Sequence, residues 1–570
     1  MDNREVAKVL YEIADFLEIK GVPFKPRAYR KAAQSIETLS EDIQSIYKRD
    51  ELRKIPGIGA SIAAKIEELL ETGSLEYLEE LREELPEGLR ELMEIEGIGP
   101  KTALKLYEKL KISSIDELEA TAREGRISSL EGFGKRTEEN ILKGIELYRS
   151  AQERVLLGFI LPVAQGMEER LREFEPVARV SLAGSIRRRK ETIGDIDIVA
   201  VSEEPLRVMD FFTELPEIKK VLMKGTTRSS VLLTSNLQVD LRVVEKESFG
   251  SALQYLTGSK DHNIVLRDLA ISKQWKLSEY GLFDRETDGR IAGETEEGIY
   301  QSLGLSYIEP ELRENRGEIE ASLQGRLPDL VKYGEIRGDL HVHSDWSEGA
   351  HSIEEMAEAA KSLGYEYLAL CDHSKTLQIA HGMAEEDFRE RDKEIERVNR
   401  EIGGITVLSG VEVNIDSGGK LDIRDEVLKD LDVVVASVHS GFKQPKEKMT
   451  ERILTAMHND YVDIIGHPTG RLINKRAPYQ VDLPRVFETA AELGVFLEIN
   501  AFPDRLDLSD VNLFEARNYD VKFSINSDAH NKNHLRYVEL GVATARRGWL
   551  EKKDIINTSS LKELRKLLES

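Results

Sequence analysis

Cysteine is almost absent: Cys371 stands alone among 570 residues. That excludes an internal disulfide framework and fits a reducing, cytoplasmic compartment. No apolar run approaches the length needed to span a bilayer. The opening Met1-Asp2-Asn3-Arg4-Glu5 is polar and leads into an amphipathic helix rather than a signal-peptide core, so no membrane partner is expected. Basic charge is in deficit, and a net charge of −25 taken globally argues against nucleic-acid binding. Phosphate attraction is local, however, and screened over roughly 10 Å. Lys20 to Lys31 carries five basic residues and no acid, as does Arg179 to Lys190, while acids concentrate elsewhere, as in Glu76 to Glu96. Histidine is scarce over most of the chain: of 11, ten lie between His341 and His534. That clustering predicts a separate C-terminal metal domain, and the length predicts several domains in all.

One stretch organises the first half: Gly184-Ser185-Ile186-Arg187-Arg188-Arg189-Lys190-Glu191-Thr192-Ile193-Gly194-Asp195-Ile196-Asp197. On a strand, Asp195 and Asp197 face one side while Ile196 and Ile198 face the core. Two converging carboxylates repel unless a cation lies between them, and a hard divalent ion such as Mg²⁺ bridges to substrate phosphates. Gly184-Ser185 lets a phosphate approach the backbone, and a helix starting there would offer free N–H groups. Asp240, in Gln238-Val239-Asp240-Leu241-Arg242, falls on a neighbouring strand and completes a carboxylate triad. Together these residues read as a metal and triphosphate site. Ala183-Gly184-Ser185 followed by Asp195-Ile196-Asp197-Ile198 resembles the signature of the nucleotidyltransferase superfamily.

Residues 4–20 read as a helix with Val6, Val9, Leu10, Ile13, Phe16 and Leu17 on one face. Phe24-Lys25-Pro26-Arg27-Ala28-Tyr29-Arg30-Lys31 opens a second. Ile55-Pro56-Gly57-Ile58-Gly59-Ala60 is then a glycine hairpin ahead of a helix. The pattern returns at Ile95-Glu96-Gly97-Ile98-Gly99-Pro100, before Lys101, and at Leu130-Glu131-Gly132-Phe133-Gly134-Lys135. It resembles the helix-hairpin-helix, whose glycines let backbone N–H groups meet nucleic-acid phosphate without side-chain obstruction. One copy is weak evidence because many helix C-caps look alike; three are stronger, though the third could be only a structural turn.

These neighbours resemble one branch of the superfamily, the family X DNA polymerases, in its prokaryotic form fused to a PHP (polymerase and histidinol phosphatase) domain. The resemblance implies all-α helix-hairpin-helix domains, an α+β nucleotidyltransferase palm with a thumb, and a distorted (β/α)7 barrel. The boundaries it suggests are a lyase-like domain at 1–85, a DNA-binding subdomain at 86–150, palm at 151–262, thumb at 263–315 and the PHP domain at 336–570; between the last two, residues 316–335 are charged with an apolar stripe (Ile319, Leu323, Leu327, Leu330) and read as a helical linker. It implies that Lys65 attacks an abasic sugar as a Schiff base, with Lys25, Arg30 and Lys31 gripping a 5′-phosphate; the bland alternative is a helix lysine paired with Glu68. The family's second hairpin lysine is Ser61 here. Asp195, Asp197 and Asp240 would bind two Mg²⁺ or Mn²⁺ ions, with Asp240 nearest the primer hydroxyl. Gly184, Ser185, Arg188, Gly194, Tyr255, Gly258 and Asn263 would serve the incoming nucleotide. Lys25, Tyr29, Gly57, Gly59, Gly97, Gly99, Lys101 and Arg267 would contact DNA. Tyr255-Leu256-Thr257-Gly258 matches the turn beside the nucleotide sugar, with Leu256 replacing the family's common aromatic.

From Ile336 short apolar runs alternate with helical segments, and almost every run ends on a candidate ligand: His341 and His343; Asp372 and His373; Glu412; His439; His467; Glu498 and Asn500; Asp528 and His530. Seven such strands suggest a β/α barrel with its chemistry at the C-terminal strand ends. Mixed imidazole and carboxylate ligands suit two or three Zn²⁺, Mn²⁺ or Fe²⁺ ions. In the PHP family such a centre hydrolyses phosphoesters with metal-activated water. Where that family has Ser-Asp-Gly this chain has Ser347-Glu348-Gly349, so Glu348 is the expected ligand and Asp345 its rival. His351, His381, His458 and His534 are expected to be non-ligands, and Arg471 and Arg505 either bind phosphate or form surface ion pairs. The resemblance thus implies a monomeric gap-filling polymerase of base excision repair, taking gapped or primed DNA and dNTPs. Its barrel would be a Mn²⁺-dependent 3′→5′ exonuclease that also cleaves abasic sites. Two alternatives stay open: a small-molecule nucleotidyltransferase with a phosphatase barrel, and a polymerase braced by an inactive barrel.

Overall fold

The computed structural model describes the chain apart from residues 1–2, 21, 38–42, 50, 56, 85–87, 94, 96–97, 131, 376–381 and 570. It forms two compact units, one built essentially from Met1–Gln152 and the other from nearly all the remainder. Among the described residues no helix is long and apolar enough to cross a membrane.

The first unit is all helical. Helix Asn3–Ile19 buries Val6, Leu10, Ile13 and Leu17 against helix Lys25–Glu37, in one cluster with its Ala32, Ala33 and Ile36 and with Ile66 and Leu69 of helix Ala60–Thr72, one apolar stripe per helix. The three glycine hairpins share one turn: Ile58 N–H donates to Ile55 O (3.1 Å), Ile98 to Ile95 (3.0 Å) and Phe133 to Leu130 (2.9 Å). Gly57 and Gly132 both hold left-handed backbone (φ +84° and +85°), where a side chain is strained. The third hairpin therefore has the same geometry as the first.

In the second unit, five strands form the palm sheet: β1 Arg179–Leu182, β2 Asp195–Val201, β3 Ile218–Lys224, β4 Arg228–Leu233 and β5 Gln238–Val244, in the order β1-β2-β5-β4-β3. Burial alternates strictly along β5, with Val239, Leu241 and Val243 inward, the period-2 pattern of a one-faced sheet. Edge strand β3 is exposed along nearly its whole length and so has no alternation to read in the sequence. The thumb has helix Lys260–Ser272, whose Ser259 cap accepts from His262 N–H (3.2 Å), and the antiparallel strands β6 Trp275–Ser278, β7 Gly281–Asp284 and β8 Arg290–Ala292. Helix Glu296–Leu303 completes its core with Leu266, Leu282, Ile299 and Tyr300.

The expected helical linker is corrected: the helix covers only Glu318–Leu323. Gly325, Pro328 and Gly334 follow and oppose helix continuation. The rest runs extended against the barrel, with Val331 N–H donating to Leu550 O (3.1 Å).

Seven parallel strands follow, paired in chain order: β9 Gly338–Val342, β10 Tyr367–Leu370, β11 Thr406–Asn414, β12 Val433–Ser437, β13 Ile464–Ile465, β14 Phe496–Asn500 and β15 Phe523–Asn526. His343 N–H donates to Ala529 O (2.8 Å), and Val342 bridges Ala529 in parallel, nearly closing the ring between its first and last strands. Palm and barrel share a core. Barrel residues Ile473, Leu506 and Leu540 belong to one buried cluster with palm residues Leu157, Ile160 and Ile196. At Gly158 a Cβ would lie 2.8 Å from Leu540 and Pro503. Trp549 is likewise part of the thumb core.

Candidate functional site

The palm carboxylates are set by register. Asp197 lies directly opposite Asp240 in the parallel β2–β5 pair, while Asp195 is opposite Gln238; with period-2 alternation all three carboxylates occupy the face away from Ile196 and Val239. Burial, with Asp195 and Asp240 alongside, pushes the Asp197 carboxyl up to about 7. Asp240 accepts from the Ser230 hydroxyl, from Gln238 Nε2 (3.2 Å) and from Arg228 at 3.4 Å. Gly184 sits against this group with φ +66°, and a Cβ there would be 2.6 Å from Asp197 Oδ2. The Ser185 hydroxyl is buried and has no hydrogen-bond partner. A like-charged cluster beside an unsatisfied donor fits hard divalent ions carrying phosphate.

Other expected nucleotide residues are close by but engaged. Arg188 Nε donates to Glu314 (2.9 Å) and its Nη1 to the Thr257 carbonyl. A Cβ on Gly258, which has φ +68°, would be 3.3 Å from Arg188 Nη1. Asn263 Nδ2 donates to the Tyr255 carbonyl (2.7 Å), and its Oδ1 accepts from Gln254 Nε2 (2.6 Å). Tyr255 is partly exposed, and Arg267 is exposed with Nε 3.3 Å from Asn263 O. Gly194 lies against the Arg154 guanidinium, where a Cβ would be 3.0 Å away. The basic run is therefore not an open grip. Arg187 pairs with buried Glu296 (2.6 Å), which also binds Arg313 (2.5 Å).

In the helical unit, Lys65 is half-buried with Nζ 4.6 Å from the Tyr77 ring centroid, and Glu68 accepts instead from Glu76 N–H (2.8 Å). Tyr29 is buried; burial, with Tyr77 nearby, pushes its hydroxyl up to about 12. Lys25 is exposed, whereas Arg30 is held by Asp15 (2.8 Å) and Glu18 (2.6 Å). Gly59 and Gly99 begin helices Ala60–Thr72 and Pro100–Leu110 and have no atom within 4 Å of a would-be Cβ. Lys101 lies in the first turn of the latter helix. Gly97 and His381 lie outside the described residues.

The barrel brings nine of the candidate ligands together: His341, His343, Glu348, His373, Glu412, His439, His467, Asp528 and His530. Glu412 is the hub: its oxygens lie 2.9 Å from His373 Nδ1, 3.1 Å from both His439 and His467 Nε2, 3.3 Å from His341 Nε2 and 3.8 Å from His343 Nε2. Asp528 meets His343 Nε2 at 3.2 Å, and Glu348 meets His373 (3.0 Å) and His530 (2.8 Å). Glu348, rather than exposed Asp345, is thus the carboxylate beside the histidines. Among the described residues three overlapping groups have the geometry to hold an ion: His343, His373 and His530; His341, His343 and Asp528; His373, Glu412 and His439. The Nδ1 atoms of His343, His439 and His467 are buried without hydrogen-bond partners. His467 and Asp528 have positive φ (+28° and +53°), a strain that concentrates at functional sites.

The electrostatics make the same demand. Burial opposes charge on Glu412, yet His373, His439 and His341 hold its carboxyl well below the usual range. Burial, with His530 and His373 alongside, pushes His343 down to about 4. Burial also opposes protonation of His373, but Glu412 and Glu348 raise it to about 10. Opposite shifts on neighbouring imidazoles, with carboxylates wedged between them, fit a site built around bound cations. Mixed N/O ligation suits transition ions.

Two strand-end acids are supports. Glu498 accepts from His341 Nδ1 (2.6 Å), His467 N–H (2.7 Å), Asn526 (3.0 Å) and Asn500 (3.1 Å), orienting ligands from behind. Asp372 binds Ser344, Ser347 and Arg391. His351, His458 and His534 are in none of the three ion-holding groups. Arg471 pairs with palm residue Glu191 (2.8 Å), and Arg505 Nε is 3.5 Å from Asp528. Sequence reasoning missed Glu498 as a support and Glu314 as the partner of Arg188. Neither has a local signal, because both contacts are made by residues remote in sequence.

Family models match along the chain: a helix-hairpin-helix domain over residues 1–75, a SAM-like helix-hairpin-helix tandem over 89–146, the DNA polymerase beta thumb over 252–314 and the PHP domain over 339–502. "DNA polymerase/3′-5′ exonuclease PolX" of Bacillus subtilis is 40% identical over 572 aligned residues, covering 100% of both chains. A "Probable phosphatase" of Thermoanaerobacter sp. is 32% identical over 232 residues, 39% of this chain and 89% of that protein. A "Probable phosphatase" of Acetivibrio thermocellus is 34% identical over 166 residues, 28% of this chain and 64% of its own.

Proposed function

The chain belongs to the family X DNA polymerases that carry a C-terminal PHP domain, and from that premise we propose how its two centres divide the work. It is a DNA polymerase with 3′→5′ exonuclease activity, acting on DNA through its helix-hairpin-helix domains. The small-molecule nucleotidyltransferase alternative is not favoured, because the phosphatase relatives align with only a minority of the chain.

The polymerase centre is Asp195, Asp197 and Asp240 in the palm (151–262), fed with dNTPs through Gly184, Ser185, Arg188 and Gly258 beside the thumb (263–315). The observation that carries this is the face-to-face register of Asp197 and Asp240. When bound there, Mg²⁺ or Mn²⁺ would activate the primer hydroxyl and neutralise the triphosphate. Asp240, with Ser230 and Arg228 fixing its orientation, accepts the hydroxyl proton. The exonuclease centre is His341, His343, Glu348, His373, Glu412, His439, His467, Asp528 and His530, for two or three Mn²⁺, Zn²⁺ or Fe²⁺ ions. Glu498 holds the His341 tautomer by accepting from Nδ1, which leaves Nε2 free for a metal.

The substrate is gapped or primed DNA in base excision repair, and the protein works as a cytoplasmic monomer. The test is primer extension and end-degradation on gapped DNA with Mg²⁺ or Mn²⁺. Asp197→Ala should lower extension by about 100-fold or more and leave degradation intact, since ions there supply several kcal/mol. His341→Ala should do the reverse. Extension that survives Asp197→Ala would remove the palm assignment, and degradation that survives His341→Ala would favour a barrel that only braces. Lys65, beside Tyr77, is assigned to Schiff-base chemistry on abasic DNA. Borohydride trapping should disappear in Lys65→Ala, and trapping at the wild-type level would refute that role.

A further inference from the structure

Arg188 shares its carboxylate partner with a residue of the barrel. Glu314 Oε1 lies 2.9 Å from Arg188 Nε and 3.0 Å from Arg547 Nη1, while its Oε2 is 4.0 Å from Lys190 Nζ. Arg547 ends helix Val538–Arg547 and is 3% exposed. Its Nη1 also donates to the Arg188 main-chain carbonyl (2.6 Å), and its Nη2 to Asp510 (2.6 Å). Asp510 in turn binds Arg316 (3.0 Å). A chain of largely buried ion pairs therefore runs from the barrel helix to the arginine beside the Gly258 turn.

We propose that Arg547 of the barrel is a positioning residue for polymerisation: it holds Glu314 so that Arg188 can be released to an incoming nucleoside triphosphate. The proposal rests on the reading of Arg188 as a triphosphate contact. A triphosphate and Glu314 compete for one guanidinium, and they differ in what the exchange leaves behind. With no second cation, a departing Arg188 would strand a largely buried carboxylate, which is strongly unfavourable. Arg547 removes that obstacle because its bond to Glu314 survives the exchange. Its second bond, to the Arg188 carbonyl, keeps the main chain fixed while the side chain is redirected. Asp510 keeps Arg547 in place from the opposite side, so the exchange does not require the barrel helix to move.

Single-nucleotide gap filling by the full-length chain, with dNTP concentration varied, tests this. Arg547→Ala should raise the dNTP KM about tenfold with kcat changed less than about threefold, the loss of one charge-assisted contact read as ground-state binding. Exonuclease rates should not change. Adding Glu314→Gln to Arg547→Ala should return KM to within about twofold of wild type, because the competitor is then neutral. If Arg547→Ala does not fold, Glu314→Gln alone should lower KM by about threefold, since Arg188 is freed from a charged competitor. An unchanged KM in Arg547→Ala, a raised KM that Glu314→Gln fails to restore, or a KM that Glu314→Gln alone does not lower would each overturn the proposal. Arg188→Ala separates the two readings. An unchanged dNTP KM there removes the triphosphate contact and the proposal with it, whereas a raised KM alongside a silent Arg547→Ala removes the proposal alone.

Discussion

Gly184 shows how much of the polymerase centre depends on one absent side chain. Its φ of +66° costs an L-residue roughly 1–2 kcal/mol, and a methyl group would press on Asp197 Oδ2 at 2.6 Å. Gly184→Ala should therefore push the carboxylate aside rather than unfold the palm. Primer extension is expected to fall about 100-fold, the scale of a displacement of about 1 Å in a reacting group, with exonuclease activity unchanged. Extension within twofold of wild type would mean that Asp197 is not held by this contact. The barrel illustrates the opposite case, in which one side chain does several jobs. Glu412 reaches five imidazoles, so its position constrains all three ion-holding groups together.

At the scale of elements, the thumb is fastened to the Gly184–Arg187 turn by Glu296, 4% exposed between Arg187 and Arg313. Glu296→Gln leaves one buried and one largely buried guanidinium group, Arg313 and Arg187, sharing a neutral partner and should cost about 3 kcal/mol, measured by urea unfolding. Burial opposes charge on Glu296, but Arg313 and Arg187 hold its carboxyl down at about 2, below the unfolded value of about 4.3. Its contribution is therefore complete above that unfolded value and lost as pH falls through about 2. The gap between wild type and Glu296→Gln should narrow over that window; a gap independent of pH would contradict the assignment. Legibility in the sequence follows the same scale. Asp-Ile-Asp and Val-Asp-Leu on β2 and β5 could be read because a half-buried strand alternates. The histidines could be placed because parallel barrel strands are short continuous apolar runs. Edge strand β3 is exposed along nearly its whole length and carries no such pattern, and the linker's apolar spacing imitated a helix that its glycines and proline do not sustain. Arg188 looked like a free cation because Glu314 lies 126 positions away, and no local rule connects them.

The whole second unit behaves as one packed body in which palm and thumb each complete their cores with barrel side chains. Metal in the barrel should therefore affect the polymerase. A chelated chain resupplied with Mg²⁺ alone is expected to lose primer extension several degrees below one given Mn²⁺ as well, because a ligand bound only by the native state stabilises everything that unfolds with it. Equal inactivation temperatures would show that the barrel unfolds independently. The net charge of −25 does not conflict with a DNA substrate at this scale, since the hairpin turns offer backbone groups rather than bulk charge. The core shared by Leu157, Ile160, Ile473, Leu506 and Leu540 also has a consequence for descent. A gene split near residue 336 would leave each product with a raw apolar face. Such lineages would have to repaint that face with polar residues or keep the two halves together.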